Sequence, residues 1–375
     1  MEFENELLDK VFQIDEYNNE IWKHNRQPLV ATFELTPRCN LSCIHCYLGS
    51  HRVIDNGLSF EQITNILDQL AEAGVLHLAL TGGECTIRKD LPQIYEYAKK
   101  KGFLVTLFTN GIKIPEEMYA LFKKYPPFYV DISLYGASDD TYETITGKRV
   151  FQNVIDTFDR LHNEGIIFGI KTPIMKQNQD DYEEMCKIAE RYDVPYRTGY
   201  VMLSTIDAED YPVEFMIPAT KMIQLEVGDS VMTEIGFKDA DVINPWGERF
   251  KNGEFVPLFI CNPGVNDVIV DFKGNICPCA GYRHIGKNIF ESSFKEIWES
   301  FAYLKKIPAT EANKCIHCQS RFFCRVCPAE QELKTGELES VSPEICEFAH
   351  AKKMYYKDRM SLEKILEIMN EKNSK

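Results

Sequence analysis

Residues 36–48 read TPRCNLSCIHCYL, and the Cys39-x3-Cys43-x2-Cys46 run within them constrains the chemistry of the chain more than any other stretch. A [4Fe-4S] cube takes four ligands and favours soft thiolates. Three local cysteines would hold three irons and leave the fourth open to a small molecule, so that open iron is a reaction site. The spacing differs from zinc-ribbon C-x2-C pairs and from the C-x2-C-x2-C run of bacterial ferredoxins, whose clusters transfer electrons with no vacancy.

Outward from this run, short β-rich segments alternate with amphipathic helical stretches from Leu29 to about Ser204. The strands read LVATFEL, LHLALT, FLVTLFT, FYVDISL, IIFGIKTPIM and VPYRTGYVML. That rhythm is the pattern of parallel βα units. Six units are too few for the closed eight-stranded barrel, so the fold class is α/β, a partial (β/α)6 TIM-like barrel followed by a small cysteine-rich domain. The active site belongs at the strand C-terminal ends. The first helix starts at Ser59, with Gln62 completing a capping box, buries Ile63, Ile66, Leu67, Leu70 and Ala71, and stops at Gly74.

The 375 residues carry a net charge of −15, which argues against nucleic acid as a partner because phosphate binding draws on excess Lys and Arg. No apolar run approaches the ~20 residues that cross a bilayer, and the acidic N-terminus lacks a secretory signal. A cytoplasmic location is expected. Thirteen cysteines, an odd and clustered set, then favour metal clusters over disulfides.

In the cysteine run and the barrel rhythm the chain resembles the radical S-adenosylmethionine (SAM) enzymes. The resemblance implies that SAM chelates the open iron and is split to a 5′-deoxyadenosyl radical that abstracts hydrogen. After the second strand comes TGGECTIRKDL, whose Gly82 and Gly83 let the backbone approach a ligand and whose Glu84 adds a carboxylate. By the resemblance these three hold the methionine amino group. Where the family usually places proline after this Glu, this chain has Cys85, either a packed small residue or a reactive thiol. The resemblance also assigns Ser133, at the end of the fourth strand, a polar contact to SAM, and His45 the place of the aromatic beside adenine. Asn110 shapes the pocket or simply forms an Asn-Gly turn. Lys171 on the fifth strand reaches toward the SAM carboxylate or into solvent. Cys186, alone in DYEEMCKIAERY, reads as core.

A second cysteine field holds Cys261, Cys277, Cys279, Cys315, Cys318, Cys324, Cys327 and Cys346. Its C-x12-G-x4-C start and C-x2-C-x5-C-x2-C continuation resemble the SPASM auxiliary-cluster domain, with x2 between Cys324 and Cys327 where that family usually has x3. The resemblance implies one auxiliary cluster on Cys261, Cys279 and Cys327 and another on Cys315, Cys318, Cys324 and Cys346, three [4Fe-4S] clusters in all. Cys277 is the candidate eighth ligand, given a turn at Pro278; without it, an auxiliary iron stays open for a substrate thiolate. The expected organisation is an N-terminal helical segment (1–28), a radical SAM core (29–225), a SPASM domain (226–350) and a C-terminal helix (351–375).

Enzymes with this pairing mostly modify peptides or proteins. The leading expectation is a ribosomal-peptide (RiPP) maturase forming a thioether or other crosslink. The alternatives are a formylglycine-generating oxidase of the sulfatase-maturase type and a non-catalytic iron-sulfur relay or scaffold. Expected partners are a peptide or protein substrate and an external electron donor such as flavodoxin or ferredoxin. A separate leader-peptide-binding protein is a further candidate, since 28 residues before the barrel are too few for a winged-helix domain.

Overall fold

The computed structural model describes residues 26–53, 57–229, 232–234, 236–237, 246–259, 261, 263–324 and 326–373. The expected N-terminal helical segment therefore lies outside the described residues except for its last three.

Six parallel strands carry the barrel: β1 (Val30–Glu34), β2 (His77–Thr81), β3 (Leu104–Thr109), β4 (Tyr129–Ser133), β5 (Phe168–Pro173) and β6 (Tyr196–Gly199). Each pairs with its sequence neighbour, giving the order β6-β5-β4-β3-β2-β1. Between them run α1 (Phe60–Glu72), α2 (Leu91–Lys100), α3 (Glu116–Lys124), α4 (Asp139–Thr146), α5 (Phe151–Asn163) and α6 (Tyr182–Tyr192). The α1 capping box forms as read: the Gln62 N–H donates to Ser59 Oγ at 3.2 Å and the Ser59 N–H to Gln62 Oε1 at 2.9 Å. Ile63, Ile66, Leu67 and Leu70 of α1 are fully buried against the sheet, and burying such side chains stabilises the unit by roughly 1.5–3 kcal/mol each.

The sheet does not end at β1. A strand from the second half, β7 (Asp267–Val270), pairs parallel to β1, and a short antiparallel run, β8 (Asn275–Cys277) and β9 (Lys287–Asn288), extends it to nine strands. The cysteine-rich half is thus hydrogen-bonded onto the barrel edge. Around it stand α7 (Ala219–Gly228), α8 (Trp246–Lys251), α9 (Phe294–Ser300), α10 (Pro328–Thr335), α11 (Pro343–Tyr356) and α12 (Leu362–Asn373). The expected C-terminal helix is two helices, because Arg359 between them takes φ +57°. Ile365 and Met369 are the α12 side chains that bury fully.

α11 packs on α7 through a buried ion pair, Lys352 Nζ to Glu226 Oε1 at 2.9 Å, with Tyr356 also donating to that oxygen at 3.2 Å. Among the described residues no helix is long and apolar enough to cross a membrane.

Candidate active site

The chain leaves β1 at the C-terminal rim of the sheet and enters the cysteine loop, which α4 holds from the side. Ser42 and Ile44 donate their N–H groups to the carbonyls of Thr146 and Ile145, both at 2.9 Å. Cys39, Cys43 and Cys46 line an open-mouthed cavity of about 180 Å³. Every other residue assigned to SAM from the sequence lines it too: His45, Gly82, Gly83, Glu84, Asn110, Ser133 and Lys171. Burial pushes the Cys39 thiol up to about 11; the Leu41 N–H opposes this, while nearby Glu84 and Cys46 add to it. A bare thiolate is costly there, and bonding to a metal would stabilise it. Among the described residues no three His, Cys, Asp or Glu converge tightly enough for a single ion. The three thiols instead line one cavity, whose space suits a cluster larger than an ion.

The double glycine has a physical reason different from the one read in the sequence. Gly82 has φ +148°, and a Cβ there would strike the carbonyl oxygen of Thr36; a Cβ on Gly83 would stand 2.5 Å from that of Pro37. The backbone these glycines admit is that of the cysteine loop itself. Gly83 N–H donates to Thr36 O at 2.7 Å and Glu84 N–H to Arg38 O at 2.8 Å, so the two loops are pinned together.

Glu84 is 2% exposed. Its Oε1 accepts from the Thr86 N–H (3.0 Å), the Thr86 hydroxyl (2.7 Å) and the Thr109 hydroxyl (2.8 Å), and its Oε2 from the Asn110 N–H (2.7 Å). A carboxylate offers about four lone-pair positions over two oxygens, so Oε2 keeps acceptor capacity for a cationic group. The site therefore fits an ammonium.

Asn110 does both things considered for it. Its side-chain oxygen accepts the Ile112 N–H at 3.1 Å, closing the turn, while Nδ2 donates to Asn40 Oδ1 at 2.7 Å and lies 3.9 Å from Cys39 Sγ. Ser133 pairs in register with Lys171 across β4 and β5. Lys171 Nζ lies 3.4 Å from Asp131 Oδ2 and 3.9 Å from the Phe108 ring centroid, and burial lowers its pKa against the pull of Asp131. His45 lies 5.3 Å from the Tyr135 ring, centroid to centroid. Cys85 is fully buried, its thiol donating to Phe108 O at 3.3 Å, whereas Cys186 is only half-buried.

Tyr47, Thr109 and Tyr135 also line the cavity and were not singled out from the sequence. For Tyr47 the available signal was adjacency to Cys46. Thr109 and Tyr135 flank Asn110 and follow Ser133 at strand ends.

In the second cysteine field, the environment of the Cys279 thiol includes Cys327 and Cys261, and that of Cys261 includes Cys327. The environment of Cys346 includes Cys324, Cys315 and Cys318. Seven cysteines thus neighbour one another in two groups, one of three and one of four. Cys277 is fully buried on the sheet face it shares with Glu34, its sulfur 3.7 Å from Arg283 O, and its environment includes Cys279 but neither Cys261 nor Cys327. Alternation alone would place residues two apart on one face. Here β8 ends at Cys277, and Cys279 lies beyond it in a turn closed by Tyr282 N–H to Cys279 O at 3.3 Å.

Residues 33–189 carry a radical SAM domain, matching the model of the radical SAM superfamily. The match covers the end of β1, the cysteine loop and strands β2 to β5. Mycofactocin maturase MftC of Mycolicibacterium smegmatis is 26% identical over 85% of this chain and 83% of its own. The AdoMet-dependent heme synthase of Methanosarcina barkeri is 24% identical over 83% of this chain and 94% of its own. The crystal structure of Streptococcus suis SuiB bound to precursor peptide SuiA superposes with TM-score 0.65 at 16% identity, over 90% of this chain and 81% of that one. The fold is the radical SAM α/β fold, and a chain with this domain is an enzyme.

Proposed function

We propose that Cys39, Cys43 and Cys46 hold a [4Fe-4S] cluster in a SAM-binding cavity, and that the chain is a peptide maturase. The observation that carries this reading is the convergence of all three thiols and every SAM-assigned residue on one cavity at the strand C-terminal rim. When bound, the cluster and SAM together supply a 5′-deoxyadenosyl radical for hydrogen abstraction. Glu84 Oε2 would accept from the SAM ammonium, Lys171 would face its carboxylate, Ser133 would contact it from β4, and His45 would flank the adenine. Asn110 orients Cys39 through Asn40. The pinned Gly82-Gly83 loop keeps these groups in register with the thiols, which is what holding two reactants in place requires.

Cys261, Cys279 and Cys327 would hold one auxiliary cluster and Cys315, Cys318, Cys324 and Cys346 another. Iron in the anaerobically reconstituted chain should then approach about 12 per molecule. A content near one cube's worth, with zinc present, would remove the auxiliary reading. Replacing Cys277 by Ala separates the two roles considered for it. The burial of Cys277 apart from Cys261 and Cys327 predicts unchanged iron and EPR spectra, leaving an auxiliary iron open to a substrate thiolate. A lost or altered auxiliary signal would make Cys277 the eighth ligand.

The substrate class follows from the relatives: a maturase of matching length, and a neighbour of the same fold bound to a precursor peptide. Reduced enzyme incubated with SAM and peptides encoded beside its gene should lower a peptide's mass and join two of its residues in the fragment spectrum. Consumption of a porphyrin with no change in any peptide would instead align the chain with the heme synthase. Oxidation of one Cys or Ser without a crosslink would mark it as a formylglycine-type oxidase.

A further inference from the structure

Glu34, the last residue of β1, is 2% exposed and meets groups from both halves of the chain. Arg283, in the turn that follows Cys279, donates Nη1 to Glu34 Oε2 at 2.9 Å and Nη2 to Oε1 at 2.7 Å. The Tyr47 hydroxyl donates to the same Oε1 at 2.7 Å, and the guanidinium lies 5.5 Å from the Tyr47 ring centroid. Arg283 is itself tied to its turn, since Nε donates to Ala280 O at 2.9 Å. Tyr47 directly follows Cys46 and lines the cavity, and its carbonyl accepts the Ile206 N–H at 2.8 Å.

From this geometry we infer that Arg283 is a positioning residue for SAM: reaching from the second cysteine field, it fixes Glu34 and, through it, Tyr47 at the wall of the SAM cavity. The inference rests on the proposed reading of that cavity. A planar fork on a carboxylate sets two bonds and one orientation, which a lysine at the same place would not. With both Glu34 oxygens engaged by Arg283, the carboxylate cannot rotate away from the Tyr47 hydroxyl. The ring beside Cys46 is then held at hydroxyl, carbonyl and face. Tyr47 is the only member of the trio that touches the cavity, so Arg283 acts on SAM from outside the binding surface, as outer-shell partners act on metal ligands.

SAM binding to the anaerobically reconstituted full chain, measured by equilibrium dialysis beside iron content and melting temperature, tests this. Arg283→Gln and Tyr47→Phe should each weaken SAM binding by about tenfold with iron unchanged, the scale on which outer-shell substitutions act. Arg283→Lys should recover part of the stability and little of the affinity. The double variant Glu34→Gln, Arg283→Gln removes the stranded buried carboxylate, so its melting temperature should return toward that of the parent while SAM binding stays weak. Wild-type affinity in both Arg283→Gln and Tyr47→Phe would overturn the inference. So would affinity that simply follows melting temperature back up in the double variant, since that is what a purely structural ion pair does. A parent chain that binds no SAM overturns the functional reading itself and the inference with it.

Discussion

Replacing Cys39, Cys43 and Cys46 together by Ala should abolish SAM cleavage while leaving about two thirds of the iron in place. The three thiols line one cavity, and no other cysteine of the described residues lines it. Without them nothing there replaces a thiolate ligand, and seven of the remaining cysteines would hold the two proposed auxiliary clusters. The substitutions leave the pairing of β1 with β2 and with β7 untouched, because the run lies beyond the strand in the rim loop. Of about 12 irons, about 8 should remain. Iron analysis with chromatographic detection of 5′-deoxyadenosine under dithionite reads both halves of the prediction. A triple variant that still forms 5′-deoxyadenosine would show that this loop is not where SAM is cleaved.

Gly83→Ala should be nearly as damaging through one methyl group. The new Cβ would be driven into the carbonyl oxygens of Pro37 and Arg38, which are backbone atoms and cannot swing aside. Either the Gly82–Glu84 loop or the cysteine loop must move, and the bonds from Gly83 N–H to Thr36 O and from Glu84 N–H to Arg38 O are lost or stretched. Overpacking of this kind costs about 1–3 kcal/mol in stability. Its effect on chemistry is larger, since a shift near 1 Å between positioned groups costs on the order of 100-fold in rate. A modest drop in melting temperature with a fall of roughly 100-fold in 5′-deoxyadenosine formation is expected. Parental turnover in Gly83→Ala would show that the register of the two loops does not matter.

The six barrel strands and the α1 capping box were legible because they are local: apolar runs bounded by turns, and a Ser with Gln three residues on. The SAM-assigned residues were legible for a related reason, since each follows directly from a strand end or from the cysteine run. What the chain concealed is long-range. The strand Asp267–Val270 is four residues of unremarkable alternation, and only its pairing with Val30–Phe33 makes it part of the barrel sheet. Arg283 and Glu34 lie at opposite ends of the sequence, and no local pattern links a turn arginine to a strand-end carboxylate. The glycines at 82 and 83 were recognised as points of close approach, but what approaches them is the Thr36–Arg38 backbone. That Cys277 ends β8 while Cys279 lies in the turn beyond it depends on where the strand stops, a boundary to which residue type is nearly blind.

The central claim is that the Cys39-Cys43-Cys46 cavity is a place where SAM is reductively opened. It is tested most directly by incubating the anaerobically reconstituted, dithionite-reduced chain with SAM and measuring 5′-deoxyadenosine by liquid chromatography and mass spectrometry. The account predicts formation of 5′-deoxyadenosine that depends on reductant and on the three loop cysteines. A reduced chain with its full iron content that binds SAM and forms no 5′-deoxyadenosine would contradict it and leave an iron-sulfur relay or scaffold as the better description.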